Sequence, residues 1–103
     1  MKYLVQILLP LYDNDGRPFG QDLFTATRGE LMGHFGGVTA HMRAPARGLW
    51  KIDEGDVARD DIVIVEVMAA AIDAEWWSRY RGTLRRRFAQ DELVIRAIPM
   101  SSL

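Results

Sequence analysis

A chain of 103 residues, 49% hydrophobic and 26% charged, is sized and composed for one soluble domain spanning residues 1–103 with a two-layer core. Its 13 Lys and Arg against 14 Asp and Glu leave a net charge of −1, which argues against an obligate nucleic-acid or membrane-surface binder. Cysteine is absent, which excludes disulfides, thiolate nucleophiles and zinc–thiolate sites; a reducing compartment is allowed, and a cytoplasmic location is expected.

The first apolar run, Tyr3-Leu4-Val5-Gln6-Ile7-Leu8-Leu9 after Lys2, has the outline of a secretion signal. Gln6 interrupts it, Pro10 ends it, no small-residue cleavage site follows before Asp13, and it is too short to span a bilayer. It reads as a buried strand over residues 3–12. Asp13-Asn14-Asp15-Gly16-Arg17-Pro18 is a turn: Asn, Asp and Gly tolerate positive φ, and Pro blocks strand pairing. The same segment imitates a calcium loop, but Arg17 and Pro18 stand where that loop needs an acceptor and a glycine.

A helix is predicted over residues 21–35, with Leu23, Phe24, Thr27, Leu31 and Phe35 on one face and Gly36-Gly37 as the stop. A second strand follows over 38–44, until Pro45 and Gly48 interrupt it. Residues 49–57 then read as a small hairpin extension, and 62–68 as the strongest strand of the chain. Asp73 is placed to cap a second helix, with Glu75 in its first turn and Arg85, Arg86 and Arg87 in its last, both favoured by the helix dipole. Trp76, Trp77, Tyr80, Leu84 and Phe88 form its apolar stripe, one tryptophan in the core and the other over the sheet edge or the hairpin. A last strand covers 93–98 and ends at Pro99.

The order βαββαβ predicts a ferredoxin-like α+β sandwich: a four-stranded antiparallel sheet of order 4-1-3-2, with both helices on one face and the other face bare in a monomer. Strand residues alternate between faces. Val5, Ile7, Leu9, Val63, Val65, Val67, Leu93, Ile95 and Ala97 form the uniformly apolar set that should pack on the helices. The opposite set is mixed: apolar Leu4, Leu8, Ile62, Ile64, Met68, Val94 and Ile98 surround polar Gln6, Glu66 and Arg96, joined by Thr39, His41 and Arg43 if the second strand keeps phase. An apolar patch of that extent marks an interface, and polar groups within it need partners. Arg96, Gln6, Glu66 and then His41 or Arg43 should follow one another across the sheet.

Two functions fit that face. In one, two copies pair through it as a homodimer and enclose a small, anionic or aromatic molecule. Gln6, Arg43, Trp50 and Arg96 then bind it, and His41 or Glu66 moves a proton in cofactor-independent chemistry. In the other, a non-catalytic interaction module uses the same polar network only to fix dimer register. No cofactor and no metal is expected: His34 and His41 sit on different elements without an ordered carboxylate spacing, and His34 suits the end of its helix. Arg79, Arg81, Arg85, Arg86 and Arg87 do not share one helical face, and the strands lack the aromatic pair of an RNA-recognition sheet.

The βαββαβ pattern with a half-apolar free face resembles the dimeric α/β-barrel superfamily, in which two sheets pack face to face around a cavity. Gly48-Leu49-Trp50, Val63, Val65-Glu66-Val67 and Arg87-Phe88-Ala89-Gln90-Asp91 are also similar to a small bacterial domain family with a G-x-W…V-V-E…R-F-x-Q-E pattern and no assigned activity. The resemblance implies the fold and the pairing of sheet faces.

Overall fold

The computed structural model describes residues 2–43 and 62–103, with backbone alone for 40–43. The hairpin expected over 49–57, with Trp50, lies outside the described residues. The elements are β1 (Lys2–Pro10), α1 (Gln21–Phe35), β2 (Thr39–Arg43), β3 (Ile62–Ala69), α2 (Ala74–Arg87) and β4 (Ile95–Met100). The fold is α+β, two helices with an antiparallel sheet whose hydrogen-bonded neighbours run β2-β3-β1-β4.

Local chemistry sets the boundaries. The Asp13 carboxylate accepts from the amides of Asp15 (2.8 Å) and Arg17 (2.9 Å), and Gly16 takes φ +81°, which closes the turn after β1. Gly36, at φ +79°, ends α1 in the left-handed conformation and donates its N–H to Met32 O at 2.8 Å. Asp73 caps α2 by accepting from the Trp76 amide at 3.1 Å. At the far end of α2, the Ala89 and Gln90 amides turn back to the carbonyls of Arg86 (3.3 Å) and Arg85 (2.9 Å), which forces Ala89 to φ +51°.

The odd-numbered face of the sheet forms the core. Val5, Ile7, Leu9, Val65 and Val67 pack with Phe24 and Leu31 of α1 and Trp77, Tyr80 and Leu84 of α2, and Phe88 seals the end against Phe19 and Phe24. Leu93 is buried and Ile95 half-buried, but Ala97 is exposed. The helices therefore cover the start of β4 and leave its second half open.

β4 runs through Pro99 to Met100 rather than stopping before the proline. The Leu8 amide donates to Val94 O at 3.0 Å, so Leu8–Val94, Gln6–Arg96 and Leu4–Ile98 are the hydrogen-bonded pairs. Pro99 faces Tyr3 in a non-bonded position of an edge strand, where a missing N–H removes nothing from the ladder.

Candidate functional site on the sheet face opposite the helices

Gln6 stands opposite Glu66 on one side and Arg96 on the other. Its Nε2 donates to Glu66 Oε2 at 2.6 Å, and Arg96 Nε donates to its Oε1 at 2.7 Å. An amide has one donor end and one acceptor end, so between a carboxylate and a guanidinium only one orientation satisfies both neighbours. The distances are those of charge-assisted hydrogen bonds. Gln6 and Glu66 are half-buried, whereas Arg96 is exposed and, among the described residues, bonds Gln6 alone, through Nε.

Thr39, rather than His41 or Arg43, completes this row, since it is the β2 residue opposite Glu66. His41 pairs with Ile64 and Arg43 with Ile62, two and four residues farther along β2. The side chains of His41 and Arg43 lie outside the described residues, as does Trp50. Alternation fixes the face of a residue but not the row, because a slip of two residues keeps every side chain on its face.

Apolar rows flank the polar one. Leu4 lies between Ile98 and Met68, and Leu8 between Val94 and Ile64. The face is not uniformly bare: Ile64 is 1% exposed although it stands outside the helix-side core, while Met68 is 57%, Val94 53% and Ile98 42% exposed. The open apolar residues are Met68 near the end of β3 and Val94 and Ile98 along the β4 edge.

A second polar cluster, not apparent from the sequence, joins the two helices. Arg87 Nη1 donates to Glu30 Oε1 and to Thr27 Oγ1, both at 2.9 Å, and its Nη2 donates to Glu30 Oε2 at 2.7 Å. Tyr80 Oη donates to Glu30 Oε1 at 2.8 Å. The Arg87 hydrogen bonds hold the Glu30 carboxyl below its usual range, against burial, which pulls the other way; burial and Glu30 push the Tyr80 phenol up. The signal was the placement of Arg87 near the apolar stripe of α2, since a cation there needs a counter-ion on the facing helix. Both Glu30 oxygens and Thr27 Oγ1 accept from members of the cluster, which ties α1 to α2.

His34 stacks on Trp76 with ring centroids 4.2 Å apart and planes 9° from parallel. Trp76 in turn stacks on Tyr80, and Trp77 is in the core. Trp76 thus packs against the end of α1, not over the sheet edge. Among the described residues no group of three or more His, Cys, Asp or Glu is placed to hold a metal ion, and no helix is long and apolar enough to cross a membrane. No protein-family model, curated protein or solved structure matches this chain.

Proposed function

We propose that this chain is a ferredoxin-like protein of the dimeric α/β-barrel kind that binds a small anionic molecule between the paired sheet faces of two copies. One observation carries the reading: the hydrogen-bonded row Arg96–Gln6–Glu66, set among exposed apolar side chains on the face away from the helices. Glu66 orients Gln6, Gln6 orients Arg96 through Nε, and the Nη edge of the guanidinium is left to receive a carboxylate or similar group. Met68, Val94 and Ile98 supply the apolar walls. His41, Arg43 and Trp50 are the further residues proposed for the site. If the bound molecule is turned over, Glu66 and His41 are the groups suited to move a proton.

The use of both ends of the Gln6 amide within one sheet favours a second reading, a non-catalytic module whose row only fixes register. Glu66→Gln separates the two. It keeps the shape and an acceptor for Gln6 Nε2 but removes charge and basicity. A working site loses binding in a small-molecule thermal-shift screen, or turnover, while remaining folded. A structural row loses modest stability and no ligand response. Glu66→Ala calibrates the assay at a cost of roughly 1–3 kcal/mol, because it leaves the Gln6 amide without its acceptor. A parent protein that answers no anionic compound in the screen, with both variants as stable as the parent, refutes the proposed site.

A further inference from the structure

We infer that the outer edge of β4, with the wall of α2 above it, is a docking site for an extended peptide of a partner protein, one that carries two acidic residues at alternate positions and then a basic one. Such a site lies beyond the function proposed above: it uses the edge and the helix side of the sheet, and leaves Glu66 and the Arg96 guanidinium to the opposite face. The backbone of β4 is open to pairing. It is the last strand of the sheet and pairs with β1 alone among the described residues. Because Leu8–Val94, Gln6–Arg96 and Leu4–Ile98 are the bonded pairs, the N–H and C=O groups of Ile95 and Ala97 point away from β1. An edge in that state is a template for one more strand. Pro99, with no N–H, ends the template two residues farther on.

The charges above the edge set the chemistry of the guest. A groove of about 540 Å³ lies between α2 and the start of β4, lined by Arg81 and Arg85 from the helix, by Leu93 and Ile95, and by Asp91 and Glu92 where the strand begins. Both arginines are exposed, and neither forms an ion pair among the described residues, although two carboxylates line the same groove. Arg85 spends only Nε, on Gln90 O at 3.5 Å. Two like charges one helical turn apart repel each other, and anions set between them relieve that. Residues four apart on a helix are separated by about 6 Å. Alternate residues of a strand are separated by about 6.8 Å. An added strand therefore presents two acidic side chains, both on the helix side, at the spacing of Arg81 and Arg85. Ala97 is exposed on that side and leaves room for the second of them. A guest that continues the antiparallel pattern runs against β4 and brings its C-terminal end to Asp91 and Glu92, which suit a lysine and repel a third acid. The motif is acidic-x-acidic-x-basic.

A second copy of this chain is the poorer occupant. Antiparallel pairing of two β4 edges about a two-fold axis sets residues of the same strand opposite each other. Centred on Arg96, it brings two guanidinium groups side by side. Centred on Ala97, it puts Pro99 opposite Ile95, where the missing N–H leaves a bond unmade at each end.

The probe is the peptide acetyl-Thr-Glu-Thr-Glu-Thr-Lys-amide, titrated into the isotope-labelled full chain at low ionic strength and followed by NMR. Saturable shifts centred on the Ile95 and Ala97 amides are expected, with slower hydrogen exchange at both. Arg81→Glu/Arg85→Glu should weaken binding by about tenfold or more, and the reversed peptide acetyl-Lys-Thr-Glu-Thr-Glu-Thr-amide should bind about threefold more weakly than the forward one. Ala97→Pro removes an outward N–H and no ladder bond to β1, and should abolish binding. If that variant does not fold, the parent chain is tested against the forward peptide N-methylated at both glutamates, whose N–H groups face the edge; this peptide should not bind. The absence of any saturable shift overturns the inference. So does binding that survives Ala97→Pro or N-methylation, which would be charge attraction without strand addition, and so does equal binding of the two peptide directions. An oligothymidylate that shifts the same residues as tightly as the peptide would make the groove a general polyanion surface and overturn the assignment to a peptide.

Discussion

Arg87 of α2 grips Glu30 of α1 at two points, Nη1 to Oε1 at 2.9 Å and Nη2 to Oε2 at 2.7 Å. Such a fork fixes distance and rotation together, which a single contact does not. It sets the last turn of α2 over the middle of α1, and with it the depth at which Phe88 enters the core.

The acid limb of the stability profile should carry this pair. The Arg87 hydrogen bonds hold the Glu30 carboxyl below its ordinary range, with the Tyr80 hydrogen bond and the Arg87 charge acting the same way and burial opposing them. A carboxyl depressed in the folded state stabilises it at pH above the unfolded value of about 4.3 and loses that contribution as pH falls. Glu30→Gln should therefore flatten part of the decline in urea midpoint on the acid side. At neutral pH it should cost only about 0.5–1 kcal/mol, because the Glu30 side chain is 44% exposed. An unchanged acid limb would show that the pair does not hold in solution.

Tyr80→Phe probes the same cluster from the buried side. It removes the 2.8 Å hydrogen bond to Glu30 and should cost about 1 kcal/mol at neutral pH. The alkaline side changes too. Burial first, then the hydrogen bond and charge of Glu30, push the phenol above its usual value. The unfolded chain ionises at about pH 10 while the folded one does not, so the parent loses stability as pH rises beyond that value. The variant should lack this part of the loss. Phenolate absorbance on alkaline titration checks the cause, since one of the 3 tyrosines should resist until the chain unfolds.

Ala89→Gly should stabilise the protein. Ala89 sits at φ +51° in the reversal that ends α2, a conformation that costs an L-residue roughly 1–2 kcal/mol. Glycine removes that strain and adds about 0.5–1 kcal/mol of unfolded-state entropy. The net gain is about 0.5–1 kcal/mol, read as a rise in thermal midpoint of about 2–8 °C. Ala89→Val, β-branched at the same angle, should lower it.

Much of this was legible in the sequence. Alternation assigned Val65 and Val67 to one face and Glu66, Gln6 and Arg96 to the other. Gly36 and Asp73 marked helix ends by chemistry that works within a few residues. What stayed hidden depends on contacts between distant elements. The register of β2 decides whether Thr39 or His41 joins the row, and no local pattern fixes it. The rotation of α1 against α2 decides that Arg87 meets Glu30 rather than solvent. Pro99 reads as a stop because its tolerance depends on lying on the edge, in a position without a ladder bond.

Gln6→Glu gives the most direct check on the polar row. The parent amide gives Nε2–H to Glu66 at 2.6 Å, and a carboxylate in its place has no proton to give. Two carboxylates at that distance cannot both ionise freely, so one of them is raised in the folded variant. A raised acid favours the fold below its unfolded value, and the benefit disappears as pH climbs through the folded one. The variant should thus be destabilised by about 1–2 kcal/mol at neutral pH and recover toward the parent near pH 4. Part of the loss is offset because Arg96 Nε, at 2.7 Å from the parent oxygen, gains a charged acceptor. Adding Arg96→Leu removes that offset and should deepen the neutral-pH loss while leaving the recovery on acidification. Paired denaturation curves for the single and double variants, run at neutral and acid pH, measure both terms. A Gln6→Glu variant as stable as the parent at neutral pH would mean that water separates the two groups in solution, and that the row is not a continuous chain of hydrogen bonds.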